Sequence, residues 1–171
     1  MKEALYAALE ASRAIRLDVS TFGSPSDDGT PAYSHQVLPV SLTRNTRGYI
    51  ERISNQINGC YEKGWYDSCA VMIRRLLETL IIEVFEHQKR SGSIKNAGGD
   101  FLYLNDLIDR TLSEPSWNLS RNTKAALRRL KSVGDKSAHS RRFNARRWDI
   151  DKIVDDLRTA TEEFLYLADL K

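Results

Sequence analysis

The chain has 171 residues, 41% of them hydrophobic and 29% charged, with a formal net charge of only +3, the make-up of one ordinary soluble domain with a single substantial core. No apolar run approaches the roughly 20 residues of a membrane span and no secretory leader opens the chain, so a cytoplasmic protein that does not engage the membrane is expected. Two cysteines and three histidines, scattered along the chain, exclude a disulfide framework and offer neither a metal site nor a cofactor site.

Residues 2–17, rich in Ala, Leu, Glu and Arg, read as a helix with a thin apolar stripe of Leu5, Ala8, Leu9 and Ile15. From Asp18 to Pro39 the helical period stops among Gly23, Pro25, Asp27-Asp28-Gly29 and Pro31, which are turn and breaker signals. Residues 1–37 are therefore expected to form an arm, a helix followed by an irregular linker, that docks on a larger body or on a partner protein. Residues 38–171 are expected to be the main domain.

Within that domain Ile50, Ile53, Ile57 and Cys60 keep the spacing of one helical face, and Gly64 supplies a C-terminal cap. Asp67 is expected to cap the next helix, which runs to Gln88. Its Cys69, Met72, Ile73, Leu76, Leu77, Leu80, Ile81, Val84 and Phe85 make a wide apolar stripe. Val71 and Ile82 fall on the opposite side, which predicts a helix enclosed on every side at the centre of a bundle. Cys60 and Cys69 lie at apolar positions and are expected to be buried, inert thiols. Arg74, Arg75 and Glu78 interrupt the stripe, with Arg74 or Arg75 pairing one turn on with Glu78.

Lys89 to Asp100, with Ser91-Gly92-Ser93 and Gly98-Gly99, reads as a mobile connector without the Lys-Ser/Thr ending of a phosphate loop. A short helix carrying Leu104, Leu107, Ile108 and Leu112 ends at Glu114-Pro115. Ser120 caps a basic helix with Ala126, Leu127, Leu130 and Val133 inward. A last helix runs from Asp149 to Leu170. No segment alternates and nothing repeats, so the fold is expected to be all-α, most simply an antiparallel helical bundle.

Charge is unevenly spread. Arg121, Lys124, Arg128, Arg129, Lys131, Lys136, Arg141, Arg142, Arg146 and Arg147 face one acid, Asp135, a balance of +9 in a chain whose total is +3. Such a bias favours a polyanion, most often nucleic acid. His139 sits inside this stretch and can exchange a proton near neutral pH. It has a structural alternative, in which Gly134, Ser137 and Ala138 make a tight helix–helix turn and the imidazole bonds Glu78 or the backbone. Phe143 and Trp148 interleave with the arginines and could stack on bases, although Trp148 is better placed to anchor the start of the last helix.

Three features in this order resemble a known family: Leu38-Pro39 before a helix ending in Cys60-Tyr61-x-x-Gly64, the run Cys69-Ala70-Val71-Met72-Ile73-Arg74-Arg75-Leu76-Leu77-Glu78, and Gly134-Asp135-x-x-Ala138-His139. Together they are similar to a bacterial domain, found alone or fused to restriction-enzyme subunits, of the HEPN (higher eukaryote and prokaryote nucleotide-binding) superfamily. The resemblance covers residues 38–171. It implies a dimerising helical bundle with roles in RNA cleavage, toxin–antitoxin pairs and antiviral defence. It also implies a metal-independent ribonuclease site, in which a histidine moves the proton and an upstream arginine steadies the phosphate. His139 stands for that histidine. Ser132, Val133 and Gly134 occupy the arginine's usual place, so Arg129 is the nearest upstream candidate, and Asp135 replaces the asparagine usual in this branch.

The site expected from all this comprises His139 and Arg129 as catalytic residues. Arg128, Arg129, Lys131, Lys136, Arg141, Arg142, Arg146 and Arg147 would form the nucleic-acid surface, with Arg75, Glu78 and Asp135 as supporting polar groups. The expected function is an RNA-contacting, homodimeric module of a defence or toxin–antitoxin system with a weak or lapsed ribonuclease site. The alternative is a non-catalytic dimerisation or adaptor bundle that recruits a partner protein.

Overall fold

The computed structural model describes residues 36–171, and among these every regular element is helical. In chain order they are α1 (Val40–Thr43), α2 (Gly48–Glu62), α3 (Tyr66–His87), a single 3₁₀ turn (Ser91–Ile94), α4 (Leu104–Leu112), α5 (Arg121–His139), α6 (Arg147–Asp151) and α7 (Val154–Leu167). An isolated bridge between Lys95 and Phe101 is the sole strand-like pairing among the described residues. None of the described helices is long and apolar enough to cross a membrane. The helix expected over 2–17, and nearly all of the linker after it, lie outside the described residues.

The first two long helices form a hairpin because of Gly64. Its φ of +74° places it in the left-handed region, and the Trp65 N–H reaches back to the Cys60 carbonyl at 2.8 Å, closing α2 as glycine-terminated helices usually close. So short a turn sends α3 back antiparallel along α2. Helix α3 is the hub, packing on α2, α4, α5 and α7. Cys69, Ile73, Leu76, Leu77, Leu80, Ile81, Val84 and Phe85 are all buried. Enclosure on every side is not met: Val71 is 37% exposed and Arg75 is exposed, so one face of the hub looks at solvent. Phe85 packs edge-on against the buried Trp117 at 4.6 Å between ring centres.

Four local expectations are corrected. Trp65, not Asp67, holds the position before α3, and the Asp67 carboxylate lies within the first turn and accepts the Ala145 N–H at 2.9 Å. The 89–100 segment is folded, with Ile94 fully buried and the Asn96 side chain accepting the N–H groups of Gly98 and Asp100 at 2.9 and 3.0 Å. The last helix is two helices, interrupted at Lys152 and Ile153 with Ile150 and Ile153 both buried; nothing in the sequence marks that break. Cys60 is only half-buried, whereas burial pushes the Cys69 thiol up to about 12.

Helix α5 runs unbroken through Gly134, which makes a close helix crossing in place of a tight turn. A Cβ there would lie 2.5 Å from Arg74 Cβ and 2.9 Å from the Ala70 carbonyl oxygen. Ser120 caps α5 as expected, accepting the Thr123 N–H at 3.1 Å. At the other side of the molecule, buried Asn58 exchanges two hydrogen bonds with the Leu38 backbone, at 2.9 and 2.7 Å. Arg158 donates to the Val37 and Gln36 carbonyls at 2.9 and 2.6 Å. These bonds fix the chain where it joins the bundle.

Two substitutions test this packing by urea denaturation. Leu80→Ala should cost about 2–5 kcal/mol, as buried leucine truncations do. Gly134→Ala would stabilise an isolated helix by about 1 kcal/mol, but the contacts at Arg74 and Ala70 should reverse the sign and cost about 1–3 kcal/mol. A stabilised Gly134→Ala protein would mean that α3 and α5 lie farther apart.

Candidate nucleic-acid interface

The basic stretch of the sequence is not one basic surface in space. In the middle of α5, Arg128 meets Asp109 of α4 at 2.8 Å and Arg129 meets Asp156 of α7 at 2.8 Å. Lys131 bonds Asp135 one turn on, and Arg147 lies 3.7 Å from Asp151. The Arg128 and Arg129 side chains are 63% and 54% exposed, so the pairs stabilise the fold little. Each nevertheless cancels a charge in the long-range field. Within this stretch the cations without an acidic side-chain partner among the described residues fall into two groups: Arg121 and Lys124 at the start of α5, and Lys136, Arg141, Arg142 and Arg146 at its end and beyond. Fifteen residues of helix separate Arg121 from Lys136, about 22 Å of axial rise.

The second group is the built one. His139 is the last residue of α5 and is exposed, and the neighbouring Lys and Arg side chains lie favourably at the negative end of the helix dipole. The chain from Ser140 to Arg146 is then tied at its far end twice. Ala145 is buried and its N–H is held by Asp67, and the Arg146 N–H is held by Asp149 at 2.9 Å, which caps α6. Arg141, Arg142 and Arg146 project from this tied loop into solvent. Lys136 lies over the Phe143 ring at 5.9 Å.

Aromatic side chains share this end of the bundle. Tyr61 and Tyr66 pack edge-on at 5.8 Å, and Arg147 lies over the Tyr61 ring at 5.5 Å while its Nε donates to the Tyr61 hydroxyl at 3.0 Å. That hydroxyl in turn donates to Asp151. Burial and the Asp151 bond push the Tyr61 pKa up, and the Tyr61 contact raises that of Arg147. Trp65 and Trp148 flank the group and are 58% and 50% exposed; Trp148 therefore does not anchor the last helix in the core.

One turn of α5 before His139, the close crossing at Gly134 joins two of the sequence motifs. Arg74 of α3 donates to Asp135 at 2.8 Å and lies 3.5 Å from Glu78. Partial burial raises the Asp135 pKa, but hydrogen bonds from Lys131 and Arg74 outweigh it and hold the carboxyl below its usual value. Both cations are thus committed to an internal carboxylate.

Among the expected site residues, the structure brings together Lys131 and Asp135 with Glu78 through Arg74, and it gathers Lys136, His139, Arg141, Arg142, Arg146 and Arg147 at one end. It does not unite His139 with Arg129, which lies ten residues earlier on the same helix, about 15 Å away by axial rise, with its guanidinium on Asp156. Nor does it join Arg75, exposed on α3, to Glu78; Arg74 takes that role. The His139 imidazole makes no hydrogen bond to Glu78 or to a backbone group among the described residues. Trp65 and Asp67 were not legible as parts of the site. The only sign in the sequence was a tryptophan beside a helix-terminating glycine.

Because its folded pKa is depressed, Asp135 contributes stability that is present above the unfolded pKa and lost as pH falls through the folded one. Asp135→Asn should therefore be less stable than the parent at pH 7, and the gap should close as the pH is taken below the ordinary aspartate range. Melts at neutral and acid pH check this, and a gap that persists in acid would assign the effect to packing instead. No protein-family model, curated protein or solved structure matches the chain.

Proposed function

We propose that this chain is a nucleic-acid-binding module whose contact surface is the basic end of the bundle, with RNA as the favoured ligand. The observation that carries this reading is the tied loop from Ser140 to Arg146. It presents Arg141, Arg142 and Arg146 beside Lys136 and His139; no carboxylate among the described residues pairs with their side chains, and the two that reach the loop, Asp67 and Asp149, bond its backbone N–H groups. Cations held in place and left unpaired suit a polyanion, which gains counter-ion release on binding. Arg128 and Arg129 pair with Asp109 and Asp156, which takes their charges out of the contact surface.

The HEPN-like reading belongs to the same proposal. Two copies would place two His139 regions together, and the solvent-facing side of α3, with Val71 exposed and Ile82 half-buried, suits a second copy. We assign the module to a defence or toxin–antitoxin type of system with little or no ribonuclease activity of its own. No free arginine stands beside His139 at the spacing active relatives use, and Arg74, one turn away, is neutralised by Asp135 and Glu78.

Affinity for a single-stranded RNA oligomer should fall with salt, by about 0.7 in log K per log unit of salt for each phosphate neutralised. Replacing Arg141, Arg142 and Arg146 by Ser should flatten the slope by about 2, whereas Arg128→Ala with Arg129→Ala should leave it close to the parent's. His139→Ala should keep binding. Absence of binding to RNA and DNA at low salt would overturn the reading in favour of a protein adaptor. Efficient metal-independent cleavage, lost in His139→Ala, would overturn the non-catalytic part.

A further inference from the structure

Two of the three tryptophans of the chain are half or more exposed, and both stand at the basic end, whereas Trp117 is buried. Tyr103 and Tyr166 are more exposed still, at 83% and 76%, so it is the company of the unpaired cations that singles these two rings out. These two are also held on rigid backbone. The Trp65 N–H is bonded to the Cys60 carbonyl at 2.8 Å and its carbonyl accepts the Cys69 N–H at 2.9 Å, so the residue is clamped between α2 and α3. Trp148 sits in the first turn of α6, and Lys152 covers one side of its ring at 3.4 Å from the ring centre. The Asp67–Ala145 bond links the two elements, and the Tyr61–Arg147 contact lies between them.

We infer that the ligand of this end is an unpaired strand and that Trp65 and Trp148 are the platforms on which its bases stack. The inference rests on the nucleic-acid reading above and names the substrate class. Charge decides between occupants: an apolar protein surface would have to bury Lys152 on the Trp148 ring, whereas a polynucleotide supplies flat bases for the rings and phosphates for the cations of this end together. A duplex offers phosphates but keeps its bases stacked on one another, so it leaves the two rings uncovered.

The test compares an oligouridine RNA, an oligothymidine DNA and an RNA duplex of equal length at low salt, using the wild-type chain and Trp65→Ala, Trp148→Ala and their Phe counterparts. Wild type should bind either single strand more tightly than the duplex, with quenching of tryptophan emission, since Trp117 is shielded. Each Ala substitution should weaken single-strand affinity about tenfold with the salt slope and duplex affinity unchanged, and Phe should restore most of the loss. A preference for duplex, or single-strand affinity indifferent to both Ala substitutions, would overturn the inference while leaving the nucleic-acid reading in place. Failure of wild type to bind any of the three would overturn both. Binding of RNA alone, or of DNA alone, would support the inference and identify the sugar.

Discussion

A Cβ at residue 134 would fall 2.5 Å from the Cβ of Arg74, so the two longest helices lie as close as they do only because glycine stands there. That approach governs the placement of the other side chains of α5. It brings Arg74 onto Asp135, fixes the rotation of α5 so that Ala126, Leu127 and Leu130 face inward, and leaves Arg128 and Arg129 pointing at acids on α4 and α7. Glycine is a poor residue for the middle of a helix, by about 1 kcal/mol relative to alanine. The packing of two long apolar faces offsets that cost many times over.

Charge along a chain and charge in space are different quantities, and the difference moves the candidate site. Read linearly, the stretch from Arg121 to Arg147 is basic throughout. Once folded, acids distant in sequence answer its middle, and the unpaired cations retreat to the two ends of a 19-residue helix. Both ends adjoin a loop whose backbone is held, at Ser120 by Glu163 and at Ala145 by Asp67, but the solvent-facing tryptophans stand at the second. A field focused at one end orients a charged ligand better than a charge smeared along a helix.

Much of the fold was legible because burial follows periodicity. The apolar positions of α2, α3 and α5 recur every three or four residues, and those positions are the buried ones. Gly64 and Ser120 mark helix ends for local reasons that a sequence shows directly. What stayed hidden depends on contacts between distant segments. Asp67 resembles a helix cap but serves Ala145, 78 positions away, and Gly134 resembles a turn but lies at a crossing. The partners of Arg128 and Arg129 were equally invisible, since Asp109 and Asp156 are ordinary surface acids until the helices are side by side. His139 was found from its motif, yet its exposure at a helix end could be seen only in three dimensions.

The bond from Asp67 to Ala145 has a consequence for how the protein meets proteases. Arg141, Arg142 and Arg146 are exposed side chains that trypsin would recognise, but cleavage requires several residues of backbone to extend into the enzyme. Here the segment is anchored at Ala145 to the first turn of the most buried helix. Nicking after Arg142 is therefore limited by opening of that anchor rather than by access, and its rate reports the local free energy of releasing the loop from α3.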